Sequence, residues 1–190
     1  MYDLHKNQNS QTSVLTINES SNGENGGITY NASNTKSPVI VGGVVARMPT
    51  GTSCNKITLT NSANSGAITI EGAANYVWCG GIMGQQEQAN FLTIGNVTNN
   101  GAVTLNNISV SGSDTWVGGI FGRYTGTMTI NGTIKNTGTV TYTSTTVPYG
   151  RLGVGGIAGV VGGAFGDDNY KVINTGKIVS TGAFKEAADN

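Results

Sequence analysis

Charge is scarce in this 190-residue chain: ten basic and ten acidic side chains make up 11% of it, and they cancel to a net charge of zero. Ordinary globular domains carry about a quarter charged residues. The few charges are scattered, so the chain has no basic footprint for nucleic acid or for an anionic membrane surface. Zero net charge also argues against disorder, which couples low hydrophobicity to high net charge. Proline occurs three times, and histidine once, as His5 near the N-terminus. No window approaches the ~18 consecutive apolar residues of a membrane span, which excludes membrane insertion by a helix. Met1 to Ser13 is largely polar, has no apolar central stretch, and is expected to be a flexible segment, not a signal peptide. If the native protein is secreted, the chain is then a mature or excised form. Cys54 and Cys79 match no metal or redox spacing.

Glycine is abundant, with 30 residues, and Asn, Thr and Ser supply the polarity that charge does not. The glycines are periodic. A double glycine followed by a branched aliphatic residue appears as Val41-Gly42-Gly43-Val44, Cys79-Gly80-Gly81-Ile82, Val117-Gly118-Gly119-Ile120 and Val154-Gly155-Gly156-Ile157. Its first glycines fall at 42, 80, 118 and 155, spaced 38, 38 and 37 residues apart. A second marker, Asn-x-Gly-x-Ile/Val, begins at Asn64, Asn99, Asn136 and Asn174, with a degenerate copy at Asn25-Gly26-Gly27-Ile28. A third is an alternating triplet: Leu15-Thr16-Ile17, Ile57-Thr58-Leu59, Leu92-Thr93-Ile94 and Met128-Thr129-Ile130.

Apolar-Thr-apolar triplets have the period of half-buried strands, and no stretch sustains helical spacing. Each unit therefore reads as three short strands separated by glycine-bearing bends, the Asn-x-Gly turns tolerating positive φ. One such coil cannot bury its apolar side alone, whereas stacked copies share a continuous core. The expected fold is all-β: a β-solenoid of four to five coils over residues 14–182, with a C-terminal tail at 183–190. The alternative is a five-bladed β-propeller, disfavoured because blades need four longer strands. Stacking predicts three inward columns: Val41, Cys79, Val117, Val154; then Val44, Ile82, Ile120, Ile157; then Ile28, Ile68, Val103, Val140, Ile178. It also predicts a turn ladder of Asn64, Asn99, Asn136 and Asn174.

At Gly81-Ile82-Met83-Gly84, Gly119-Ile120-Phe121-Gly122 and Gly156-Ile157-Ala158-Gly159 the unit resembles the GLUG motif, a Gly-Leu-hydrophobic-Gly repeat of bacterial secreted and surface proteins. Asn174-Thr175-Gly176-Lys177-Ile178 is similar to the Asn-Thr-Gly segments that accompany it. Ile stands where that motif has Leu, and Gly43-Val44-Val45-Ala46 lacks the final glycine. The resemblance implies a surface or secreted solenoid module, often within a larger adhesin-like protein, and it carries no catalytic residues.

Repeat phase groups the unusual side chains. Trp78 and Trp116 share a phase and have Tyr76 nearby. They form either a platform for sugar rings or a packing element, packing being the commoner role of aromatics. Arg47, Gln85 and Arg123 form a polar row that either contacts an acidic glycan or partner or merely solvates a face. The acidic residues Glu71, Glu87, Asp114, Asp167 and Asp168 share no phase, so paired carboxylates for a polysaccharide-degrading β-helix are not evident. The phosphate-loop ending, the Gly-x-Ser-x-Gly elbow and the calcium nonapeptide are missing. No catalytic residue, cofactor or metal site is expected. Thr16, Thr58, Thr93 and Thr129 form one outward row, and Thr29, Thr69, Thr104 and Thr141 another; one Thr per strand is thin for an ice-binding plane. Cys54 and Cys79 are read either as a disulfide between coils or, for Cys79, as a buried thiol in a core column.

The expectation is a non-catalytic extracellular or cell-surface structural protein, an adhesin shaft or filament subunit. Its partners would be other copies of itself or neighbouring repeats through the end coils, with a glycan-binding module as the rival class. A phage fibre segment rates lower.

Overall fold

A computed structural model describes residues 13–48, 54–87, 91–163 and 171–183, the side chains at 13, 14, 54 and 55 excepted. His5, Asp167, Asp168 and the tail after 183 lie outside the described residues. Among the described residues every regular element is a strand. The first coil holds β1 (Ser13–Asn18), β2 (Ser21–Asn22), β3 (Ile28–Asn34), β4 (Val39–Gly42) and β5 (Val45–Met48). The second repeats it as β6 (Cys54–Thr60), β7 (Ala63–Asn64), β8 (Ile68–Ala74), β9 (Val77–Gly80) and β10 (Met83–Gln86). The third is β11 (Phe91–Gly95), β12 (Val97–Asn99), β13 (Val103–Val110), β14 (Thr115–Gly118) and β15 (Phe121–Tyr124). The fourth is β16 (Thr127–Ile130), β17 (Thr133–Asn136), β18 (Val140–Ser144), β19 (Leu152–Gly155) and β20 (Ala158–Val161). A partial fifth adds β21 (Lys171–Asn174) and β22 (Ile178–Gly182).

Each strand pairs in parallel with its equivalent one coil on, giving five sheets. In coil order, sheet A begins with β1, B with β2, C with β3, D with β4 and E with β5. This is a β-solenoid, and parallel pairing between coils is incompatible with the antiparallel blades of a propeller. The count per coil is five strands where three were expected. The double glycine is an arc, and the residues on either side of it enter different sheets. The short strand leading into each Asn likewise forms a sheet of its own.

All three predicted columns are present in register. Ile68 and Ile70 point inward with Thr69 between them, the alternation that a half-buried strand requires. Each fully buried aliphatic side chain of this kind contributes about 2 kcal/mol of transfer free energy. The columns do not share one core, however. Sheets C and D enclose one apolar cluster, with Ile70, Cys79, Leu105 and Val117 at its centre. Sheets A, B and E enclose a second, built on Leu59, Ile82, Ile94 and Phe121.

Glycine geometry explains the division. A Cβ on Gly43 would lie 2.5 Å from Asn64 Cγ, and Gly81, Gly119 and Gly156 lie equally close to Asn99, Asn136 and Asn174. The tip of the double-glycine arc therefore presses against the asparagine turns of the opposite wall and pinches the coil at its waist. Behind the tip, sheets D and E run back to back. A Cβ on Gly122 would sit 2.5 Å from Cys79 N, and one on Gly159 2.5 Å from Val117 N. The second glycine of the GLUG-like tetrapeptide thus serves this close approach. None of the arc or Asn-x-Gly glycines has a positive φ, contrary to the expectation for the turns. Positive φ falls instead on Glu19, Asn61, Asn96 and Gly132, at the corner between sheets A and B, and on Gly72, Asn107 and Gly182 in sheet C.

Cys79 carries a free thiol with no exposed surface, which removes the inter-coil disulfide. Burial pushes the thiol up to about 12, so it is inert at neutral pH. With Cys54 replaced by Ser, a chromogenic thiol reagent at pH 8 is expected to label the native protein only at its unfolding rate. Rapid stoichiometric labelling without denaturant would show that the column is open.

Candidate functional site

The waist carries a polar feature that repeats from coil to coil. Asn64, Asn99 and Asn136 are completely buried, which is costly for an amide unless all its hydrogen bonds are made. Each Nδ2 donates to the carbonyl two residues on: Asn64 to Gly66 (3.0 Å), Asn99 to Gly101 (2.8 Å), Asn136 to Gly138 (2.9 Å) and Asn174 to Gly176 (3.0 Å). A carbonyl can only accept, so these bonds fix which amide atom is nitrogen. The remaining N–H then donates up the stack, from Asn22 to Asn64, Asn64 to Asn99, Asn99 to Asn136 and Asn136 to Asn174, each at 2.8 Å. The predicted turn ladder is therefore an internal spine with one direction.

The other residues selected from repeat phase converge at the junction of sheets D and E. Trp78 and Trp116 are register partners, with Ile40 before them and Gly153 after. Tyr76 lies on the Trp78 ring, centroids 4.2 Å apart, and the Arg123 guanidinium carbon sits 4.9 Å from the same centroid. The Trp78 indole N–H is buried without an acceptor, so it is not offered to a ligand. Trp116 is only 7% exposed. Its six-membered ring covers Gly153, where a Cβ would approach Cε3 to 2.6 Å, and Arg151 lies 5.5 Å from its centroid. Trp116 is thus a packing residue, whereas Trp78 keeps a partly exposed ring.

Arg47, Gln85 and Arg123 do form a row, continued by Val160. Glu87 holds its lower half together: Arg47 Nε donates to Oε1 at 3.2 Å and Gln85 Nε2 at 2.9 Å. Asp114 accepts from Arg151 through the backbone N–H (2.8 Å) and the guanidinium (2.6 and 3.1 Å). Partial burial would raise the Asp114 carboxyl, but the Arg151 bonds and charge, with Arg123 behind them, hold it below the ordinary value. Glu71 accepts from Asn106 Nδ2 at 2.7 Å. These carboxylates occupy different rows, and no group of three His, Cys, Asp or Glu side chains converges among the described residues.

The Thr rows stand in register on sheets A and C, with sheet B between them, so they do not make one plane. Sequence reading missed a second amide row at the A–B corner. There Asn61 donates to Asn18 Oδ1 (2.9 Å) and Asn96 to Asn61 Oδ1 (3.2 Å). Its signal is shared left-handed backbone conformation, supplied by Glu19, Asn61, Asn96 and Gly132, not residue identity. The Arg151–Asp114 pair was missed as well, since neither residue recurs. Compared with family models, curated proteins and solved structures, the chain matches none.

Proposed function

We propose that this chain is a non-catalytic structural module of a cell-surface or extracellular protein, in which coils are added to make length. The observation that carries this reading is the spine. The recurring asparagines are buried at Asn64, Asn99 and Asn136 and are spent on joining coil to coil, whereas the recurring threonines stand outward in two separate sheets and make no common face. The charged and aromatic side chains at the D–E junction differ from coil to coil and are largely engaged with one another. The GLUG-like tetrapeptides support the same reading, because their glycines serve close sheet packing and the tetrapeptides supply no nucleophile or base. Strands in a sheet are about 4.8 Å apart, so five coil levels rise only about 20 Å. The described coils alone make little length, and a shaft requires further coils.

The rival is a carbohydrate-binding module centred on the partly exposed Trp78 ring, with Tyr76, Arg47 and Arg123 around it. A glycan array probed with the intact chain tests both. The structural reading expects no saturable binding. Saturable binding that falls tenfold or more on Trp78→Ala would replace it.

A further inference from the structure

Resting on the structural-module reading, we propose that copies of this chain stack head to tail, the β21–β22 edge of one pairing in parallel with the β2–β3 edge of the next. Three independent features of the two edges match.

The first is the direction of the spine. Every inter-coil bond runs from the Nδ2 of the earlier Asn to the Oδ1 of the later one. At the low end, Asn22 donates to Asn64, leaving its Oδ1 facing outward along the stack. At the high end, Asn174 accepts from Asn136 and gives one N–H to Gly176, leaving its second N–H facing outward. An outward donor at one end and an outward acceptor at the other complete the ladder between copies. Two equal ends would present donor to donor or acceptor to acceptor.

The second is the apolar columns. The column of Ile70, Leu105 and Tyr142 is buried throughout but begins at Tyr30, which is 48% exposed. The column of Ile68, Val103 and Val140 is buried but ends at Ile178, which is 47% exposed. With Asn174 set on Asn22 of the next copy, the same register places Ile178 on Ile28 and Ser180 beneath Tyr30, so both exposed ends are covered.

The third is charge. The only charged residues from 13 to 34 are Glu19 and Glu24, and the only ones from 171 to 182 are Lys171 and Lys177. All four are exposed. An unpaired strand edge is a template for further pairing, and charge is the usual means of blocking it. Here the two edges carry opposite signs, so like ends repel while unlike ends attract. A contact between two different surfaces related by translation along the axis does not close, and it generates a filament.

Sedimentation velocity of the full chain over a concentration series at low salt tests this. The weight-average mass is expected to rise beyond the dimer with concentration, and to fall back in 1 M salt, where the screening length is about 3 Å. Lys171→Glu with Lys177→Glu gives two acidic ends, and Glu19→Lys with Glu24→Lys gives two basic ends. Each double variant alone should associate about tenfold or more weakly, while an equimolar mixture should recover association as alternating copies. Circular dichroism confirms that each variant folds. A parent chain that remains monomeric at every concentration overturns the inference, and so does a mixture no better than its components. The glycan array reads the underlying proposal separately: a monomer that binds no glycan still fits a module flanked by covalent repeats.

Discussion

Gly119→Ala is expected to destabilise the fold severely, although it adds a single methyl group. The new Cβ would stand 2.5 Å from Asn136 Nδ2 and would overlap the Gly156 carbonyl and Asn136 Cγ. None of these atoms can yield. The carbonyl belongs to the backbone of the next coil, and the amide is held by three hydrogen bonds, two of them buried. Relief would require the arc to withdraw from the wall, pulling Ile120 and Phe121 out of one core and Val117 out of the other. The cost is set at about 4 kcal/mol or more, the range reserved for severe steric and core defects. That is a large share of the 5–15 kcal/mol that holds a typical domain. Far-UV circular dichroism and thermal melting of the soluble fraction provide the measurement. Gly23→Ala is the control, since a Cβ there meets nothing within 4 Å. It should leave the melt within a few degrees of the parent, a fractional kcal/mol effect of restricting the unfolded chain. Equal behaviour of the two variants would show that the waist is not a close contact.

The contrast between these glycines marks where the sequence was legible. Periodicity exposed the coil length, the stacking and the membership of the three named columns, because a solenoid repeats its environment at each coil. Val41, Cys79, Val117 and Val154 are register partners for the same reason that they are repeat equivalents. The route of the chain within one coil was not legible. Val117 and Ile120 stand three residues apart in two predicted columns, yet nothing local reveals that Gly118-Gly119 is the tip of an infold that sends them into different cores. Repeat phase placed the asparagines in a turn ladder, and it carried no information on their burial. Their burial follows from the arc that lands on them from the previous coil. At the D–E junction, repeat phase brought Trp78 and Trp116 together, but it had no means of separating them. The difference comes from Gly153, which sits where the next coil has no side chain and lets the Trp116 ring lie down.

The spine makes the sharper prediction, because one of its members can be given a charge that depends on pH. Asn99→Asp retains size and shape, keeps the acceptor that faces Asn64 Nδ2, and removes the donor that faces the Gly101 carbonyl and Asn136 Oδ1. At neutral pH a carboxylate would stand fully buried, with two acceptors opposed to it and a single N–H toward it. An uncompensated buried charge of this kind costs about 3–5 kcal/mol. For a domain of this size that corresponds to roughly 10 °C in melting temperature, at about 2–4 °C per kcal/mol. Burial and facing acceptors both raise the folded-state value of the new carboxyl above its unfolded value near 3.9. The unfolded chain therefore loses its proton first as pH rises, and stability relative to the parent is greatest below about pH 4 and declines through the range above it. Below that point the protonated acid regains an O–H donor and satisfies one of the two orphaned acceptors, so part of the loss should be recovered. Melting curves of the parent and the variant at pH 3.5, 5 and 7 give the answer. The difference between them should widen steadily with pH, whereas Asn99→Leu, which has no titrating group, should show a constant deficit. A pH-independent deficit in Asn99→Asp would mean that water reaches the waist, and the spine would then be a solvated turn and not the axis on which the coils are threaded.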